Sequence, residues 1–191
     1  MKLIADIAVA QLQDMGVIHK NEVAVYRYGF DALFTALLQM ASIFGLAIVV
    51  GNFIETLLFF LAFIPLRIYA GGYHARTRLK CYLLSLVNYG SFSLALLVVP
   101  GELYFVLIFC GCVFSDVIVL NHAPIVHENR KVSDVSEEHY RRVSIVISST
   151  EIIMLLTLQV MFKENPFVFA FFLGMISETL SMLAVKNEIK E

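Results

Sequence analysis

The stretch ALFTALLQMASIFGLAIVVGNFIETLLFFLAFIPL, residues 32–66, carries a single charged side chain, Glu55, and is broken by one polar turn, Gly51-Asn52. A helix needs roughly 20 apolar residues to cross a bilayer, so this stretch predicts two membrane spans and a short connection. The same test carried outward predicts six spans, at about 31–50, 53–69, 82–99, 103–120, 143–162 and 166–185. The separators are Gly51-Asn52, the glycine and basic cluster after Pro65, Pro100-Gly101-Glu102, the polar stretch from Asn121 to Arg142, and Lys163-Glu164-Asn165. Pro166 then sits where proline suits a helix start. The expected fold class is all-α, a polytopic integral membrane protein.

Composition agrees. Of 191 residues 59% are hydrophobic, well above the share in soluble domains, and 14 basic against 16 acidic side chains leave a net charge of −2. That balance argues against a nucleic-acid partner. Cys81, Cys110 and Cys112 are odd in number and lie in or beside apolar runs, a poor disulfide framework without the paired CxxC units of structural zinc. Without repeats or low-complexity tracts, residues 1–191 are expected to form one integral membrane domain. Its expected parts include an amphipathic segment over 1–28, a loop and start of helix three over 67–81, and a cytoplasmic loop over 121–142.

Orientation follows from the basic residues. Three lie in the N-terminal segment, four each in the second and fourth connections, two at the C-terminus and none in the first or third connection. Only Lys163 falls in the fifth, so placing both termini in the cytoplasm puts 13 basic residues inside and 1 outside. Asp6 interrupts the first apolar run, which argues against a signal peptide. Ile4, Ile7, Ala8, Leu12 and Met15 share a helical face, suiting a helix on the cytoplasmic leaflet or one packed on the bundle.

Chemistry concentrates in PLRIYAGGYHARTRLKC, residues 65–81. A thiol gains nucleophilicity where positive charge or a base favours the thiolate. Here His74, Arg76, Arg78 and Lys80 lie within seven positions of Cys81, with no acidic residue in the segment. Cys81 also opens the third helix, whose N-terminus favours an anion. Seven residues of continuous helix would separate His74 from Cys81 by about 10 Å, so proton transfer requires the chain to bend. Gly71-Gly72 permits such a bend. A solvated loop with an inert Cys81 fits the same composition equally well. A metal site is less attractive, because the histidines and Cys81 show no HExxH or comparable ligand spacing, and no G-x-S-x-G turn or phosphate loop is present. No metal or organic cofactor is implied.

The pattern Arg67, Gly71, Gly72, His74, Ala75 and Cys81 resembles the accessory gene regulator B (AgrB) family, polytopic membrane cysteine endopeptidases of Gram-positive quorum sensing. Ala123-Pro124 and Asn129-Arg130 are similar to that family's loop after the fourth span, although Lys131 stands where a proline is usual. The resemblance implies His74 and Cys81 as a catalytic dyad that removes the charged C-terminal tail of a short AgrD-like propeptide through a Cys81 thioester. A thiolactone or lactone autoinducing peptide then forms by exchange onto an internal cysteine or serine. It also implies a homodimer in the bacterial cell membrane with its active site on the cytoplasmic side.

Asp116, Ser85 and Asn88 are candidates to orient His74, and each also fits a structural role. Arg67 suits an anchor for acidic substrate groups or a marker of the end of span two. Gly71 and Gly72 are expected to shape the loop. Ser144, Ser148 and Glu151 share a face of span five, and Gly174, Ser177, Glu178 and Ser181 one of span six; cavity lining and helix packing are both open to them. The rival class is a small transporter or scaffold without peptidase activity, whose path would use Glu151 and Glu178.

Overall fold

The computed structural model describes residues 2–19, 21–73, 77–125 and 134–188. These form seven α-helices and no strand: α1 (Lys2–Asp14), α2 (Val23–Val50), α3 (Phe53–Ala70), α4 (Arg78–Val98), α5 (Tyr104–His122), α6 (Asp134–Met161) and α7 (Pro166–Glu188). A 3-10 turn, Gly101–Leu103, leads into α5. Among the described residues six helices, α2 to α7, are long and apolar enough to span a membrane. The chain is therefore a multi-pass membrane protein.

Two expected boundaries move. Helix α2 begins at Val23 rather than near 31, and α6 at Asp134 rather than near 143, inside the stretch expected to be a loop. Hydropathy marks where a helix meets lipid, whereas hydrogen bonding carries the helix beyond that boundary through Tyr26-Arg27-Tyr28 or Glu137-Glu138. The short turns match their chemistry. Gly51 closes α2 in the left-handed region, φ 84°, and donates its N–H to Ala47 O. Asn52 then ties α2 and α3 to α4, donating from Nδ2 to Ser93 Oγ at 3.0 Å and accepting from Tyr89 Oη at 2.9 Å.

Helix α7 is the most buried span, packed by α3, α4, α5 and α6. Its closest partner is α3. A Cβ on Gly174 would collide with the carbonyl oxygen of Phe59, so the missing side chain allows the two backbones to approach. The core between them includes Ala62, Leu66, Phe169, Phe172 and Met175, while many outward Leu, Val, Ile and Phe side chains remain exposed. Such an outside is what a chain solvated by lipid requires. The N-terminal α1 packs on α2, where Asp6 pairs with Arg27 at 2.6 Å. Val9 is buried, and Ile7 and Met15 point outward. Cys110 is exposed and Cys112 buried, facing apart as their two-residue spacing on a helix predicts.

Candidate active site

Helix α3 ends where Ala70 meets Gly71, whose backbone has φ 71°, and residues 71–73 continue without helical structure. Two contacts make this path specific. Ile125 donates its N–H to Ala70 O at 2.8 Å, and a Cβ on Gly71 would collide with Ile125 O. Ile125, just after Ala123-Pro124, is thus docked on the glycine turn. A Cβ on Gly72 would collide with Arg67 Nη1 and come within 2.6 Å of Glu178 Oε1 and 2.8 Å of Ser181 Oγ.

Those three side chains form a network at one end of the α3–α7 contact. Arg67 Nη1 donates to Ser181 Oγ at 2.7 Å and to Glu178 Oε1 at 3.3 Å, while Nη2 donates to Tyr73 O. The Tyr73 N–H returns to Ser181, 3.2 Å from the carbonyl oxygen and 3.1 Å from Oγ. Arg67 therefore fastens the loop to α7, and Glu178, fully buried, answers its charge. Gly72→Ala is expected to cost about 1–3 kcal/mol by forcing this network apart. Thermal unfolding in detergent checks it, and an unchanged midpoint would show that the network can move aside.

His74, with Ala75 and Arg76, lies outside the described residues, as do Asn129, Arg130 and Lys131. The chain resumes at Thr77 with extended backbone, φ −126° and ψ 146°, so α4 does not run back continuously to residue 74. Thr77 caps α4: its Oγ1 accepts from Lys80 N–H at 3.3 Å, and its carbonyl accepts from Cys81 N–H at 3.0 Å. Cys81 thus sits in the first turn of α4, near the positive end of the helix dipole. The absence of nearby acids was true only locally. Asp31 on α2 is buried and ion-paired with Arg78, whose guanidinium also lies 5.9 Å from the centre of the Tyr28 ring.

The half-buried Cys81 lines a cavity of about 410 Å³. Its lining mixes polar side chains, among them Arg67, Ser85, Asn88 and Ser181, with apolar ones such as Phe63 and Ile176. Two of the three proposed orienting residues lie here. Ser85 Oγ donates to Cys81 O at 3.0 Å, and Asn88 Oδ1 accepts from Ser177 Oγ at 2.8 Å. Asp116 is half-buried on α5 and does not line the cavity. Ser144, Ser148 and Glu151 are buried on α6 but do not line it either, whereas Ser177 and Ser181 do.

Gln39, on α2, was not singled out from the sequence. Its Nε2 donates to Cys81 Sγ at 3.7 Å and to Ser85 Oγ at 3.3 Å. A signal did exist, since Gln39 is the only amide side chain in residues 32–50, and polar groups within a span commonly mark function. Among the described residues no group of three or more His, Cys, Asp or Glu side chains gathers to hold a metal.

A polytopic helical membrane protein with a thiol in the first turn of a helix, facing a cavity lined by both polar and apolar side chains, defines the class. The accessory gene regulator B family model matches residues 4–182, so the chain belongs to the AgrB family and is tied to accessory gene regulator quorum sensing. Accessory gene regulator protein B of Staphylococcus intermedius is 28% identical over 104 residues, covering 54% of this chain and 54% of that protein. The chain thus matches about half the length of that relative. No solved structure matches it.

Proposed function

We propose that this protein is a membrane-embedded cysteine endopeptidase that trims and cyclises a short signalling propeptide. The observation that carries the proposal is Cys81 in the first turn of α4, opening onto a cavity large enough for peptide side chains. His74 takes the Cys81 proton, and the thiolate attacks the carbonyl at the end of the future signal. The tetrahedral intermediate collapses, the C–N bond breaks, and the imidazolium protonates the departing amine of the charged tail. The acyl group remains as a thioester on Cys81. An internal cysteine or serine of the substrate then gives its proton to the neutral His74 and attacks the same carbonyl, closing a thiolactone or lactone and returning the Cys81 thiolate beside an imidazolium. A pocket that excludes the competing water and holds the internal nucleophile close favours this over hydrolysis.

The basic-residue count supports a cytoplasmic site, and the family supports an AgrD-like propeptide substrate and a homodimer in a Gram-positive cell membrane. The test uses protein reconstituted in vesicles with a panel of synthetic propeptides carrying an internal cysteine and an acidic C-terminal tail. Cys81→Ala is expected to abolish tail release, and Glu151→Gln to leave it. The transporter reading draws on Glu151, whose buried Oε2 has no hydrogen-bond partner among the described residues. It would gain if peptide crossed the vesicle membrane intact and Glu151→Gln, but not Cys81→Ala, stopped it.

A further inference from the structure

Acyl transfer requires a donor for the oxygen that becomes negative when the thiolate adds to the carbonyl, and such a donor belongs about 2.7–3.1 Å from that oxygen. The Cys81 N–H is committed to Thr77 O and the Lys80 N–H to Thr77 Oγ1. Arg67 lines the same cavity, but its guanidinium is engaged by Glu178, Ser181 and Tyr73 O. Asn88 lies seven residues further along α4, about 10 Å along the helix axis from Cys81.

Gln39 is differently placed. Its Nε2 lies 3.7 Å from the sulfur, and an oxyanion bonded to the attacked carbon must form close to that sulfur. Hydrogen bonding fixes the orientation of its amide. The single hydroxyl proton of Ser85 is given to Cys81 O, so Ser85 Oγ can only accept from Gln39, which turns the NH₂ end of the amide towards the sulfur. Of the two amide protons one is held by Ser85 and the other faces Sγ. Gln39 lines not the 410 Å³ cavity but a neighbouring one of about 190 Å³, and Ser85 and Asn88 line both, so its amide reaches Cys81 from the far side of Ser85 with room to adjust as the carbon becomes tetrahedral.

We propose that Gln39 is a catalytic residue, the side-chain donor of the oxyanion hole, held in that role by Ser85 as a positioning residue. This rests on the peptidase reading above. When the Cys81 S–C bond forms, the carbonyl π pair moves to oxygen and the Gln39 N–H that faced sulfur shifts onto it. When the C–N bond breaks the pair returns, and the same donor serves the second attack by the internal thiol. A neutral amide supplies this in an apolar setting without adding another charge to be buried.

The test compares two reactions of the same sulfur in reconstituted full-length protein. Tail release from the synthetic propeptide cleaved by the wild type passes through an oxyanion, whereas alkylation of Cys81 by iodoacetamide is a direct displacement without one. Gln39→Leu and Gln39→Met, which keep the bulk and remove the donor, are expected to slow tail release about 10²–10³-fold while changing Cys81 alkylation by less than about twofold. Ser85→Ala is expected to show the same pattern with a smaller loss. Tail release that stays within about threefold of wild type in both Gln39 variants would overturn the proposal. So would an equal fall in both reactions, which would assign Gln39 to the thiol or the fold. Failure of the peptidase reading looks different: Cys81→Ala would then release the tail as fast as the wild type.

Discussion

Replacing His74 or Cys81 singly with alanine is expected to lower tail release by about 10³-fold or more, and replacing both should cost little beyond the larger single loss. The reason lies in the division of labour. His74 has value in this reaction through the proton it takes from Cys81 and returns to the leaving amine, so removing the sulfur leaves the imidazole nothing to do. Two groups that contributed independently would instead multiply their losses. The substitution at Cys81 should leave the fold intact, because the thiol is half-buried at a cavity wall and, among the described residues, its side-chain hydrogen bond is with the amide of Gln39. Rates of tail release for the wild type, both single variants and the double variant decide the matter. Multiplicative losses would show that His74 acts elsewhere, for example on the substrate tail.

The second large effect concerns stability. Glu178 is fully buried and Arg67 only 20% exposed, and they meet at 3.3 Å across the closest helix pair of the protein. A buried pair gains little over an apolar pair of similar size, but removing one member strands the other without solvent or partner, at a cost of about 3–5 kcal/mol. Arg67→Met alone should therefore destabilise strongly, and Arg67→Met combined with Glu178→Leu should recover much of the loss. Glu178→Gln should fall between, since an amide still accepts from the guanidinium but does not answer its charge. Unfolding free energies in mixed micelles give the double-mutant cycle, and additive losses would mean that the two side chains act separately. Activity should fall even in the stabilised double variant, because Arg67 also holds the loop through Tyr73 O.

Why some of this was legible in the sequence and some was not follows from the range of each interaction. Six spans can be read because lipid imposes a composition on about 20 consecutive residues at a time. That Cys110 and Cys112 face apart follows from helical spacing, though not which of them is buried, and the expectation that Gly71 and Gly72 shape the loop rests on what glycine permits. The partners of those glycines were not legible. Arg67 finds Glu178 111 residues away, and Gln39 finds Cys81 42 residues away. No local pattern pairs positions across separate spans. The same limit hid Asp31, which neutralises Arg78 from another helix and weakens any argument based on the basic segment alone. The serine and acid stripes were visible as faces, but only packing could place Ser177 and Ser181 on the cavity and Ser144, Ser148 and Glu151 away from it.

The most direct test of the central claim is to catch the acyl group. A propeptide whose internal cysteine is replaced by alanine cannot close its ring, so the thioester has no intramolecular acceptor and should accumulate in a pocket that excludes water. After acid quench, intact-mass and peptide mass spectrometry should find the N-terminal part of the substrate on Cys81, removable by hydroxylamine and absent from Cys81→Ala. Tail release at the wild-type rate from Cys81→Ala, or an acyl group carried on any other residue, would contradict the account.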